Sequence, residues 1–168
     1  MGRDIRRVPP DWEHPRDDRG EFIALFDQDY ESAAREWEAN YELWKKGEHP
    51  DLKAMPRSTS SCRYFWEWDT PPTEECYRKR AWTPEEATHY QVYQTVSEGT
   101  PVTPHFATKK ELVEYLVECG DEWNQKRGDG GWDRKAAEKF VEIGSAPSMM
   151  VRPGFGVLSP KDEAFYAD

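Results

Sequence analysis

Between Tyr30 and Trp44 the apolar residues Tyr30, Ala33, Ala34, Trp37, Tyr41 and Trp44 recur every three or four positions, which is the spacing of one helical face. Asp29 precedes them as an N-cap, Lys45 and Lys46 follow in the last turn, and Gly47 is the stop. Three more helices are expected on the same grounds. Thr83, Pro84 and Glu86 open one that ends near Gly99, with Tyr90, Tyr93 and Val96 inward and His89 beside them. Thr108 and Glu111 open another, with Leu112, Tyr115, Leu116 and Cys119 inward and Gly120 at its end. Asp133 starts the last, which runs to Ile143 with Ala136, Ala137, Phe140 and Val141 buried and Gly144 after it. Short apolar or alternating runs predict strands near 21–26, 64–68, 101–106 and 148–159, the last folded at Pro153-Gly154 into a hairpin.

These elements predict an α+β fold, three or four helices packed on a small, mostly antiparallel sheet, in a single domain spanning 1–168. Residues 1–19, with "RRVPPDWEHP" at 6–15, have neither helical nor strand period and read as an extended proline-rich strap laying Val8 and Trp12 on the core. Residues 160–168 read as a polar tail with no reason for order beyond Phe165 and Tyr166.

Charge narrows the function. A third of the 168 residues are charged and the mean hydropathy is −1.01, yet 14% are aromatic, eight of them tryptophan, so a folded domain is expected rather than a disordered chain. The net charge of −10 speaks against direct binding to a nucleic-acid backbone, whose affinity comes from Lys and Arg neutralising phosphates. An acidic surface can instead imitate nucleic acid and occupy a basic groove on a protein. Folding would have to gather Glu85, Glu86, Glu98, Glu111, Glu114 and Glu118 for that, because no acidic run exceeds two residues; the alternative is a solvated surface that aids solubility. No apolar stretch is long enough for a membrane span and none at the start resembles a signal peptide, so a cytoplasmic protein is expected. Cys62, Cys76 and Cys119 are widely spaced and read as free thiols, and no pair of Cys or His has zinc-ligand spacing; neither metal nor cofactor is expected.

Three kinds of chemistry stay open. "YFWEW" at 64–68 places Tyr64, Trp66 and Trp68 on one side of an expected strand, either as core or as an exposed patch of residue types enriched at protein interfaces. Alternatively Arg6 and Arg7 meet a phosphate, Trp12 stacks on a base and His14 hydrogen-bonds beside it, capturing a nucleotide-like ligand. An enzyme acting through His14, His49, His89 or His105 and a carboxylate is the third, although none lies in a diagnostic motif. The glycine-rich stretch at 125–133 lacks the Gly-Lys-Ser/Thr ending of a phosphate loop. Ser97 to Pro101 reads as a turn between elements.

Arg6-Arg7-Val8-Pro9 followed by Trp12, His14 and Pro15, then Gly20 to Leu25 and a Trp/Tyr helix, resembles small accessory proteins of tailed phages and prophages of proteobacteria. "HYQVYQTVSEGTPVTPHFATKKELVEYLVECG" at 89–120 and "MMVRPGFGVLS" at 149–159 extend the resemblance over most of the chain, with 48–81 outside it. The resemblance implies a setting in a bacterial host cell and no catalytic residues. In that setting a small acidic protein is expected to bind and inhibit a host protein, possible targets including a defence-system component, without catalysis of its own.

Overall fold

The computed structural model describes residues 2–54, 62–95 and 99–167. The fold is α+β, and the chain forms two compact units: residues 1–24 with 82–168, and residues 25–81.

The first unit is built on a four-stranded antiparallel sheet of order β3-β2-β1-β4, comprising β1 (Arg3–Val8), β2 (His89–Gln94), β3 (Thr100–Pro101) and β4 (Ser145–Ala146). The expected strap is therefore, over residues 3–8, an inner strand of the sheet, paired with β2 from Arg3↔Gln94 to Val8↔His89. Its Arg, Ile and Val side chains give no clean alternation, so the strand is legible only through its partner. The partner was itself expected to be helical. Thr83 and Glu86 do exchange both bonds of a capping box, but the helix stops after one turn. From His89 onward the β-branched and aromatic content of "HYQVYQ" and six ladder partners on β1 outweigh the local start signal. The strand near 101–106 is reduced to β3 and an isolated Tyr90–Phe106 bridge, since Pro101 and Pro104 have no amide hydrogen to give a ladder.

On this sheet lie α4 (Lys109–Cys119), α5 (Glu122–Arg127) and α6 (Arg134–Ile143). α4 has the expected Thr108–Glu111 box, and Leu112, Val113 and Leu116 are buried, whereas Cys119 is exposed. α6 buries Ala136, Ala137, Phe140 and Val141 as its spacing predicts. Asp133 caps α6 by backbone position only; its carboxylate accepts from the Glu163 amide instead. The tail is thereby ordered: Phe165 is in the core with Val92, Leu112, Leu116, Trp132 and Phe140. Buried Asp121 caps α5 through Asn124, is paired with the guanidinium of buried Arg3, and so ties α5 to β1. The glycine-rich loop is a packing device: a Cβ on Gly131 would lie 1.8 Å from the Val117 carbonyl oxygen, so only glycine lets the chain pass α4 here.

The terminal segment forms the expected hairpin, β5 (Met150–Arg152) with β6 (Gly156–Leu158), as a separate two-stranded sheet. The run at 20–27 forms no strand. Its backbone is bonded piecemeal, Ile23 N–H to the Pro15 carbonyl and Phe26 N–H to the Cys76 carbonyl, around one Arg16–Phe22 bridge.

In the second unit α1 (Tyr30–Lys46) has the predicted caps: the Asp29 carboxylate accepts from Ser32 N–H, and Gly47 takes the left-handed conformation. α2 (Pro50–Ala54) follows. The expected strand at 64–68 is instead a single helical turn, α3 (Phe65–Trp68), because the Glu67 carboxylate reaches back to the Arg63 and Tyr64 amides and closes it. Buried Phe65 is its anchor, with the rings of Trp37, Tyr41, Trp44 and His49 centred 5.2–6.0 Å away.

Candidate functional site

In the first unit a cleft of about 750 Å³ opens between the 13–16 turn, residues 101–104, the end of α4 and α5. Its walls are Pro15, Phe22, Pro101, Val102, Pro104 and Tyr115; its polar groups are His14, Gln91, Thr103 and Gln125, with Glu13, Arg16 and Glu122 also lining it. His14, Gln91 and Thr103 are buried side chains.

A hydrogen-bond chain holds the buried groups. Gln91 Nε2 donates to the Thr103 carbonyl (2.9 Å), and Gln91 Oε1 accepts from the Tyr93 hydroxyl (2.9 Å). That hydroxyl accepts from Trp12 Nε1 at 3.2 Å and stands 3.3 Å from His14 Nδ1. His14 Nε2 lies 2.6 Å from the Ile23 carbonyl, an acceptor only, so Nε2 carries the proton in neutral His14. The Tyr93 hydroxyl then has one proton within reach of two acceptors, Gln91 Oε1 and His14 Nδ1, which share it. Burial lowers the His14 pKa from its ordinary 6.5 against the opposing Ile23 bond, and Arg6 and Arg16 lower it further. Both ring nitrogens are thus committed to the fold. The geometry makes His14 a strut between the 13–16 turn and residue 23, with neither nitrogen directed to an outside proton.

Of the nucleotide-binding set Arg6, Arg7, Trp12 and His14, only His14 lines the cleft. Arg6 is buried against the Tyr93 ring and pairs with Asp4, and its guanidinium fills the space a Cβ on Gly99 would need. Arg7 donates to the Pro84 carbonyl and lies over Tyr90. Trp12 packs edge-on to Trp82. Antiparallel alternation along β1 sends Arg6 and Arg7 to opposite faces of the sheet.

The acidic candidates have separate employments. Glu86 and Glu111 close capping boxes, and Glu114 makes a two-pronged pair with Arg134. Glu111, Glu114 and Glu118 share one side of α4 by helical spacing, Glu85 sits on the turn after Thr83, and Glu98 lies outside the described residues. In the second unit Trp66 is exposed and stacked on Tyr64 at 4.6 Å, while Trp68 bonds Asp51 and stacks on Trp44. "YFWEW" is therefore divided, with Phe65 as core and Tyr64 and Trp66 as surface.

The feature that sequence reading passed over is the outer face of the hairpin. The register pairs Val151 with Val157, Met149 just before β5 continues the alternation onto their face, and Phe155 lies in the connecting turn with the Arg152 guanidinium over its ring. Val151, Val157, Met149 and Phe155 are 75%, 66%, 60% and 63% exposed, respectively. Leu158, on the opposite face, is core. The signal was present: a half-buried hairpin alternates apolar and polar residues, and "SMMVRPGFGVLS" has apolar residues at both phases.

Among the described residues no group of three or more His, Cys, Asp or Glu is placed to hold a metal ion, Cys62, Cys76 and Cys119 form no disulfide, and no helix is long and apolar enough to cross a membrane. No protein-family model, curated protein or solved structure matches the chain.

Proposed function

We propose that this protein is a non-catalytic accessory protein that docks on another protein through the outer face of the β5–β6 hairpin and inhibits it. The observation that carries this reading is the exposure of four apolar residues of the hairpin, Met149, Val151, Phe155 and Val157, in a protein otherwise rich in charge. Between Ser145 and Pro160 the only charged residue is Arg152, although a third of the chain is charged. Charge depletion with exposed Met, Phe and a neighbouring Arg is the composition of an interface centre. A net charge of −10 opposes close approach of a second copy or of an anionic membrane, so the partner is a different protein with an apolar groove. The likeness to phage and prophage proteins supplies the setting, a bacterial cytoplasm in which that partner is a host protein.

The test compares the wild type with Val151→Glu/Val157→Glu, whose positions are exposed enough to accept charge without unfolding, and with Trp66→Ala in the second unit. In crosslinking and affinity purification from the host, one protein is expected to be retained by the wild type and by Trp66→Ala and lost from the hairpin variant. Retention by the hairpin variant, loss from Trp66→Ala alone, or a wild-type dimer broken by the hairpin substitutions overturns the reading.

A further inference from the structure

From the cleft of the first unit we infer a second, independent binding site, for an uncharged heteroaromatic compound of nucleobase or nucleoside size and not for its phosphorylated form. The volume of about 750 Å³ lies within the roughly 300–1,000 Å³ of small-molecule sites. Pro15, Pro101, Pro104, Phe22 and Tyr115 supply apolar lining, and the aromatic residues among them suit a planar guest. Polar groups lie among them. The Tyr115 hydroxyl and the buried Thr103 hydroxyl, which accept from Gln125 Nε2 and Val92 N–H, keep their protons to donate. The Gln125 amide, whose Nε2 is bonded to Tyr115 and the Gly120 carbonyl, offers its oxygen as acceptor, and a ring with a mixed edge satisfies this pattern. Tyr115 and Gln125 already bond each other at 3.0 Å, so each holds the other's orientation before a ligand arrives.

Charge selects against phosphate. Glu122 is compensated by Lys126 at 2.7 Å. Arg16, the cleft's guanidinium, lies over the Phe22 ring at 3.7 Å and donates to the Gly20 carbonyl at 2.6 Å, and Glu13 faces the same cleft with opposite charge. The lining thus offers no spare positive charge inside a protein of charge −10, and a phosphate would meet the Glu13 carboxylate with only an already engaged arginine to pair with.

The probes are adenosine, guanosine, thymidine and their 5′-monophosphates, read by saturation-transfer NMR and by amide shifts at Thr103 and Gln125. At least one nucleoside is expected to bind the wild type with shifts at those amides, and its monophosphate about tenfold more weakly, as one unfavourable charge contact implies. Pro104→Trp, at an exposed position of the wall, is expected to fill the cleft and abolish binding while the circular dichroism spectrum stays native. Gln125→Ala, also exposed, weakens binding about fivefold through one lost hydrogen bond. Absence of transfer to any nucleoside, monophosphates binding as tightly as nucleosides, or unchanged binding by folded Pro104→Trp overturns the inference. None of these outcomes bears on the hairpin, which lies outside the cleft.

Discussion

His14 shows how a single residue changes meaning once its neighbours are known. In sequence it is a histidine beside prolines and arginines, open to a role in ligand binding or catalysis. In the structure Ile23 and Tyr93 occupy both nitrogens, and burial holds its pKa below 6.5. A folded-state value below the unfolded one means that the unfolded chain takes up the proton first on acidification, so the folded state loses stability as pH falls through 6.5. Urea denaturation between about pH 7 and about pH 5 is expected to show this loss, with a shallower slope for His14→Asn. His105, also lowered by burial, contributes to both proteins and cancels in the comparison. A slope unchanged in His14→Asn would remove His14 as its source.

Among elements, glycines of one loop separate conformation from contact. Gly128 has φ of 70° and open space around its Cβ position, so Gly128→Ala is expected to cost only the left-handed conformation, about 1 kcal/mol. Gly131 needs no left-handed backbone but touches the Val117 carbonyl, so Gly131→Ala must push the loop from α4 and is expected to cost about 3 kcal/mol. Equal losses in urea denaturation would refute the packing account. The same scale shows where sequence reading succeeds. α1, α4 and α6 were legible because caps, helical spacing and stop glycine agree over ten or more residues. The segment after Thr83 misled because its capping box is real but local, whereas β2 is held by residues more than eighty positions away. "YFWEW" misled in the opposite direction: its alternation is that of a strand, yet Glu67 closes a turn with the amides just before it. For the candidate site, the sequence singled out His14 but not Gln91, Thr103, Tyr115 or Gln125, which come together only through the sheet and α4–α5 packing.

At the scale of the molecule, the sheet and the hairpin are expected to differ in stability. β1 pairs with β2 over six residues and with β4 on its other side, beneath α4 and α6, whereas β5 and β6 pair only with each other. Amides of Ile5 and Val92 are expected to exchange with deuterium only on global opening, and those of Val151 and Val157 orders of magnitude faster, since a lone hairpin is marginal in water. Hairpin amides as protected as the central ladder would indicate that the outer face is already covered. The sequence by itself determined the α+β class, the three long helices and their buried faces, the terminal hairpin and an acidic surface, because caps, periodicity and charge act between residues close in the chain. Only the tertiary structure decided that residues 3–8 are an inner strand, that Arg6 and Trp12 support the fold while His14 joins a cleft, and that the hairpin turns an apolar face outward. Each of those depends on which distant backbone group or side chain arrives opposite, and local energetics do not encode that.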